Sequence, residues 1–129
     1  MTKVELKMLN YKSGGDVGKL ENWHFKGLAS NYMITSGTPV ASGRIDRGGV
    51  GYTWRSGIWR CTAGTFICNE LGDEMQTILA GKLCLTFADG AIHEFGPGDT
   101  FFTNQGDRVT WDILEDVTKV FHTVKPDGF

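Results

Sequence analysis

The side chains that most often bind transition metals are scattered along this sequence. The histidines are His24, His93 and His122. The cysteines are Cys61, Cys68 and Cys84. Metal sites usually draw ligands from close pairs such as HxH or CxxC, and no such pair occurs among them. A metal site is therefore not expected from spacing alone, and the odd number of cysteines is typical of free thiols in a reducing cytoplasm.

Motifs for nucleophilic catalysis and phosphate binding are also missing. No Ser/His/Asp or Cys/His signature is found in the sequence. The glycine-rich run 47–51 lacks the GxGxxG order and is not followed by a helical pattern, so we do not interpret it as a phosphate loop.

Frequent turns between short strands dominate the chain. It contains 18 glycines against 3 prolines, and no segment keeps a helical period over three turns. The pair Asp89-Gly90 is a strong hairpin signal. Strands are predicted at 4–9, 31–34, 58–62, 65–70, 74–79, 82–87, 91–95, 100–103, 109–114 and 117–124. This pattern predicts an all-β sandwich or barrel, with at most one short helix in the N-terminal arm.

Length and charge restrict the class of protein. The chain has 129 residues and a formal net charge of −2, which fits one domain with no basic patch for nucleic acid. No apolar run is long enough for a membrane span or a signal peptide, so a cytoplasmic protein is expected. We predict an N-terminal arm at 1–31, a barrel at 32–124 and a loose tail at 125–129. The arm has strand potential but little core of its own, which favours a homodimer.

Several motifs from 32 to 124 resemble those of the cupins. Glu74 is followed after six residues by Gly81, as in the first cupin motif. The turn 97–99 (Pro-Gly-Asp) and Gly106 match the second motif. The runs 57–64 and 109–119 are similar to short single-domain cupins of unknown function, a branch with the ethanolamine-utilisation cupin and ureidoglycine aminohydrolase domains. The resemblance implies a double-stranded β-helix, or jelly roll, of two antiparallel sheets around a pocket.

The resemblance also implies that the usual metal ligands are lost. The two histidine positions of the first motif hold Cys68 and Glu70, or Ile67 and Asn69 if the spacing is one residue longer. Val109 stands where the third histidine is expected, and only Glu74 remains of the four ligands. We therefore predict no metal and no other cofactor.

Strand alternation predicts which side chains face the pocket. If Glu74 points inward, Gln76 shares its face, and the neighbouring strands contribute further inward residues. The predicted ligand-binding residues are Phe66, Cys68, Glu70, Gln76, Val109, Trp111 and Ile113. A mostly apolar cleft with a few polar groups is typical of a small-molecule site. The aromatic and aliphatic members are also ordinary core residues, so both interpretations stay open for them.

Glu74 is the predicted catalytic residue, because a carboxylate inside a barrel costs several kcal/mol unless it is paired, protonated or hydrated. A purely structural role, in which it pairs with Lys119, Arg55 or Arg60, is the alternative. The leading interpretation is a metal-free cupin that binds a small organic molecule and uses Glu74 for an isomerisation or elimination. The alternatives are a metalloenzyme with unusual ligands (Glu70, Cys68 and a histidine beside Glu74) and a non-catalytic dimeric binding or scaffold protein.

Overall fold

Strands account for all the regular secondary structure described by a computed structural model, which covers residues 8–23 and 31–129. Nine strands occur in chain order. They are β1 (Glu21–Asn22), β2 (Tyr32–Ser36), β3 (Ala41–Gly48), β4 (Trp54–Cys61), β5 (Gly64–Asn69), β6 (Asp73–Phe87), β7 (Ile92–Phe95), β8 (Thr100–Thr103) and β9 (Arg108–Val124). These residues form no helix, so none of them belongs to a helix that could cross a membrane. The all-β prediction is confirmed.

Two long strands, β6 and β9, are shared by the two halves of the barrel. The first part of β6 pairs with β8 and with the last part of β9, which also pairs with β4. The second part of β6 pairs with β7 and with the first part of β9, which also pairs with β5. β3 and β1 extend the first half, and β2 extends the second half. All these pairings are antiparallel, so two sheets face each other and are joined through β6 and β9.

The prediction from the sequence wrongly divided each of the long strands, β6 and β9, into two. Gly81 was expected to end a strand, yet β6 continues through it with register shifts between Ile78 and Leu83. Gly81 has φ +89°, and a Cβ there would clash with the Asp116 carbonyl oxygen. The glycine therefore bends β6 where β9 passes closest, rather than ending it. Strand β3 was missed, because its alternation is masked by Gly43 and by partly exposed charged residues.

The core fills the space between the two sheets. Alternating residues of β9 are buried from Val109 to Thr123, while Leu114 and the next two residues form an exposed bend. The outward faces carry exposed apolar side chains, among them Met75 and Phe102. One inward-facing layer therefore supplies both the core and any site inside the barrel.

Residues 8–23 of the expected arm pack on this chain's own barrel. The Tyr11 hydroxyl donates to an Asp46 carboxylate oxygen at 2.6 Å, and the Gly14 amide donates to the Leu79 carbonyl at 2.7 Å. The predicted strand at 4–9 lies mostly outside the described residues, and its last two residues, Met8 and Leu9, are not in a strand. The homodimer and the arm boundary stay predictions.

The C-terminal segment is not loose, contrary to expectation. The Phe129 amide donates to the Tyr52 carbonyl at 3.0 Å, and the Lys125 amide donates to the Thr53 carbonyl at 2.7 Å. The Phe129 ring lies against Arg55, with 4.4 Å from the guanidinium carbon to the ring centre. The cation–π contact adds to the two backbone hydrogen bonds that join this segment to the barrel.

Candidate functional site

An open cavity lies inside the barrel between the two sheets. Its empty volume is about 570 Å³, part of it continuous with solvent. The aromatic wall consists of Trp23, Tyr32, Trp59, Phe66, Trp111 and Phe121. The ionisable groups at its surface are Arg55, Glu70, Glu74 and Lys119. An aromatic cavity with a few convergent charges has the composition of a small-molecule site.

Lys119 is the central charged group of the cavity. Its ammonium donates to Glu74 Oε2 at 2.8 Å and also to Gln76 Oε1. It lies 4.7 Å from the ring centre of Trp59 and 4.6 Å from that of Trp111. Only 5% of Lys119 is exposed, so this cation is held by an ion pair, an amide and two aromatic faces.

Glu74 faces Lys119, and its second oxygen accepts a 2.6 Å hydrogen bond from the Thr123 hydroxyl. Of the three bases considered as its partner, Lys119 makes the ion pair. Arg60 instead donates to Thr118 Oγ1 at 3.0 Å. A basic residue facing Glu74 fits the metal-free interpretation of the sequence. It also means that Glu74 takes part in a structural ion pair, which was the alternative to a catalytic role.

Glu70 is a partly buried carboxyl of the cavity and forms no ion pair with a described residue. It follows β5 in a turn whose backbone is fixed, since the Glu70 amide donates to the Asp107 carbonyl at 2.8 Å. Trp111 Nε1 donates to Glu70 Oε1 at 3.0 Å. Burial, and then the charge of Glu74, raises the pKa of Glu70 to about 7. A carboxyl with that pKa can both give and take a proton near neutral pH.

The remaining predicted site residues divide between the cavity and the core. Phe66 lines the cavity and stacks on Trp111, with 6.0 Å between ring centres. Gln76 is buried beside Lys119 and donates to Thr103 Oγ1 at 3.1 Å. Val109 and Ile113 are fully packed core residues rather than parts of the cavity wall. They face inward as predicted, and a direct role in ligand binding stays a prediction.

Cys68 lies in an outer depression of about 400 Å³ that adjoins the cavity. Burial, and then the nearby Glu70, raises the pKa of the Cys68 thiol far above its ordinary value. The pKa of the Tyr32 hydroxyl is raised for the same reasons, with burial the largest. Both groups therefore stay protonated near pH 7 and act as polar walls rather than as nucleophiles.

Lys119 and Arg55 were named only as possible partners of Glu74, and the wall residues Trp23, Tyr32, Trp59 and Phe121 were missed. Lys119 has the same odd-number alternation as Val109 and Trp111, so an unbroken β9 would have placed it inward. The same alternation in β4 places Arg55 and Trp59 on one face. Because the prediction divided β9 and began β4 only at residue 58, neither Lys119 nor Arg55 could be assigned to an inward face.

The donors of this site do not fit the metal centre implied by the cupin resemblance. Within residues 8–23 and 31–129, no three His, Cys, Asp or Glu side chains converge to hold a metal ion. Glu74 is instead paired with the Lys119 ammonium.

The described histidines lie elsewhere. His122 is on the outer face of β9, where its Nδ1 is 2.6 Å from the Ser56 hydroxyl, and His93 is exposed on β7. His24 lies outside the described residues. Neither described histidine lies at the cavity where the metalloenzyme alternative would need it, and the absence of metal in the purified protein stays a prediction.

Solved structures of low sequence identity share the fold. The EutQ protein of Clostridium difficile is 17% identical, with a TM-score of 0.58 over 70% of this chain and 71% of that chain. A putative ethanolamine utilization protein Q of Salmonella typhimurium is 13% identical, with a TM-score of 0.56 over 83% of this chain and 98% of that chain. A protein of unknown function from Rhizobium leguminosarum is 20% identical, with a TM-score of 0.58 over 66% and 81%.

The sequence itself matches one family. None of the functionally curated proteins matches it. The family profile described as the EutQ-like cupin domain matches residues 50–121, more than half of the chain. Together with the two antiparallel sheets joined by β6 and β9, this match confirms the jelly roll predicted from the motifs. The chain therefore belongs to the EutQ-like cupin domain family.

Proposed function

We propose that the barrel binds a small organic molecule and that Glu70 transfers a proton to or from it without a metal. The observation that carries this proposal is the position of Glu70: a partly buried carboxyl at the wall of an aromatic cavity, with a pKa of about 7. Buried groups with perturbed pKa values inside a cleft are candidates for general acid–base catalysis. An isomerisation or elimination, in which a proton moves at carbon, is the class of reaction this group can serve.

The two carboxyls of the cavity receive different roles in this proposal. Glu74 lies 2.8 Å from the Lys119 ammonium and holds that cation inside the cavity. Glu70 has Trp111 as its hydrogen-bond donor and the charge of Glu74 as a source of its raised pKa. Two carboxyls in contrasting environments are how a site separates an acid–base group from an electrostatic one. Glu70 thus replaces Glu74 as our proposed catalytic residue.

Lys119 supplies the fixed positive charge of the site. Its ammonium faces the cavity wall between Trp59 and Trp111 and stays beside Glu74 and Gln76. A preorganised cation in a poorly hydrated cavity stabilises negative charge that develops on a substrate oxygen, as in an enolate. Glu70 would remove the proton and Lys119 would favour the anion that results.

The open volume favours binding over a purely scaffolding role. A non-catalytic scaffold protein, the alternative, needs no open space inside the barrel. The rings of Phe66 and Trp111 stack on each other within the wall, at an interplanar angle of 8°, and do not fill the cavity. The space is consequently available to a ligand.

Solvent-proton exchange tests the proposal directly. A panel of small carbonyl compounds is incubated with the protein in D₂O and excess EDTA, and deuterium incorporation next to the carbonyl is followed by NMR. We expect the wild type to exchange at least one compound, and Glu70→Gln to slow that exchange about 100-fold or more. The matched control is Glu94→Gln, which changes an exposed carboxylate on β7.

Two results would contradict the proposal. Exchange that is equally fast in the wild type and in Glu70→Gln would remove Glu70 from the mechanism. Exchange that EDTA abolishes and added metal restores would assign the reaction to a metal that the site was not expected to hold.

A further inference from the structure

Arg55 is a second cation of the cavity, and the proposed proton transfer does not use it. It lies on the inner face of β4, two residues before Gly57, and is paired in register with Thr123 of β9. Arg55 borders both the aromatic cavity and the outer depression, as do Tyr32, Glu70 and Glu74. Its guanidinium therefore stands where a ligand would pass from the depression into the barrel.

The guanidinium is held in place by aromatic contacts rather than by an anion. Its central carbon lies 4.4 Å from the ring centre of Phe129 and 5.9 Å from that of Phe121. Arg55 Nε is buried and has no hydrogen-bond acceptor within residues 8–23 and 31–129. Burial lowers the pKa of Arg55, and the nearby Glu74 opposes that effect. A guanidinium remains charged nonetheless, so a buried N–H of Arg55 lacks a partner.

The charges around the cavity favour a ligand with one negative charge. Of the two cations of the cavity, Lys119 is paired with Glu74 at 2.8 Å, whereas Arg55 forms no ion pair with a described residue. When Glu70 is protonated, the two cations and one carboxylate of the cavity leave a single positive charge. A doubly charged group such as a phosphate would instead lie close to Glu74 without a second free cation to balance it.

We infer that the ligand of this cavity carries a carboxylate and that Arg55 binds it. The planar guanidinium presents parallel N–H donors whose geometry matches the two oxygens of a carboxylate. The aromatic side chains beyond it, Trp59 and Phe66 among them, receive an apolar body. This inference rests on the proposed ligand-binding function and deepens it by assigning a monocarboxylic acid to the cavity.

Matched pairs of probes test this assignment. Aliphatic and aromatic monocarboxylic acids are each compared with their own primary amides, and affinities are measured by calorimetry at pH 6.5. We expect at least one acid to bind the wild type about tenfold or more tightly than its amide, since hydrogen bonds to charged groups are the stronger ones. Arg55→Gln is expected to remove this preference while the amide still binds, and Arg55→Lys to retain part of it.

The control variant is Arg108→Gln, which removes the same charge from an exposed site at the start of β9. This variant should keep the preference for acids. If Arg55→Gln and Arg108→Gln both lose the preference, only the net charge of the protein matters and the inference is overturned. Acids and amides that bind the wild type equally would overturn it too, while leaving the proposed binding function intact. If no acid and no amide binds, both the inference and the proposed function fail.

The stability of the ligand-free protein gives a second readout. A residue kept for a ligand carries an uncompensated charge, so Arg55→Met should leave the melting temperature unchanged or raise it. If Arg55 only fastens Phe129, the same variant should melt several degrees lower and acids should keep their advantage over amides. That pair of results would refute the inference without any need to identify the natural ligand.

Discussion

The raised pKa of Glu70 makes the stability of this protein depend on pH in a way that one substitution should remove. The folded protein holds the Glu70 proton up to a pKa of about 7, whereas the unfolded chain releases it near 4.5. Stability from this group is therefore fully present below pH 4.5 and declines as pH rises through 7. Glu70→Gln keeps the shape and an acceptor for Trp111 but cannot titrate.

The size of the effect follows from the two pKa values. A change from 4.5 to about 7 corresponds to about 3 kcal/mol of total free energy of unfolding. Between pH 5 and pH 8, the wild type should lose about 2.5 kcal/mol of stability relative to Glu70→Gln. Other groups titrate in both proteins, so comparing the two isolates the contribution of Glu70.

Urea denaturation at half-unit pH steps, followed by tryptophan fluorescence and circular dichroism, measures this difference. The two signals should change together, which checks that unfolding is two-state. We expect the stability curves of wild type and variant to converge below pH 4.5, to separate as pH rises from 4.5 to 7 and to become parallel above about pH 8, with the variant the more stable. Parallel curves from pH 5 to 8 would refute the burial of an ionisable Glu70 and, with it, the proposed acid–base role.

Three further outcomes test other parts of the structure. Glu74→Gln should lower the free energy of unfolding by about 3 kcal/mol, because it leaves the buried Lys119 ammonium without its partner. Adding Lys119→Met should restore much of that loss in a double-mutant cycle measured by urea denaturation, and a fully stable Glu74→Gln protein would argue against the ion pair. Gly81→Ala should lower the free energy of unfolding by about 3 kcal/mol, because φ is +89° there and the new Cβ would contact β9. Gly90→Ala is the control and should cost about 1 kcal/mol, because φ is +88° but no atom lies near the new Cβ. Light scattering at micromolar concentration should show a dimer, and a monomer would contradict the oligomeric prediction.

Much of the architecture could be predicted because turn chemistry is local. The hairpin at Asp89-Gly90 lies where the sequence predicted it, and Gly90 has φ +88°. The inward face of β9 followed from alternation, and Trp111 is buried accordingly. The continuity of β6 could not be predicted, since a glycine that bends a strand and one that ends it have the same local sequence signal. In β9 the exposed residues 114–116 interrupt the alternation within one continuous strand.

The candidate site could be predicted only in part, because it depends on pairing between distant strands. Glu70 and Glu74 were recognised from motif spacing and alternation. The contrast between them arises from Lys119, which reaches Glu74 from a strand 45 positions later in the chain. Arg55 could not be assigned, because its lack of a partner is a property of the folded environment and leaves no trace in the local sequence.

The sharing of β6 and β9 by both sheets has a consequence for how this protein is made. β9 follows every other strand in chain order and runs through the middle of both sheets. Neither half can complete its sheet during synthesis until β9 has left the ribosome, so β4, β5 and β6 each lack one neighbouring strand until then. Folding should be slow for a chain of this length, as expected for non-local β pairing. Early interruption of synthesis, even close to the end of β9, would yield aggregation-prone chains rather than a smaller folded unit.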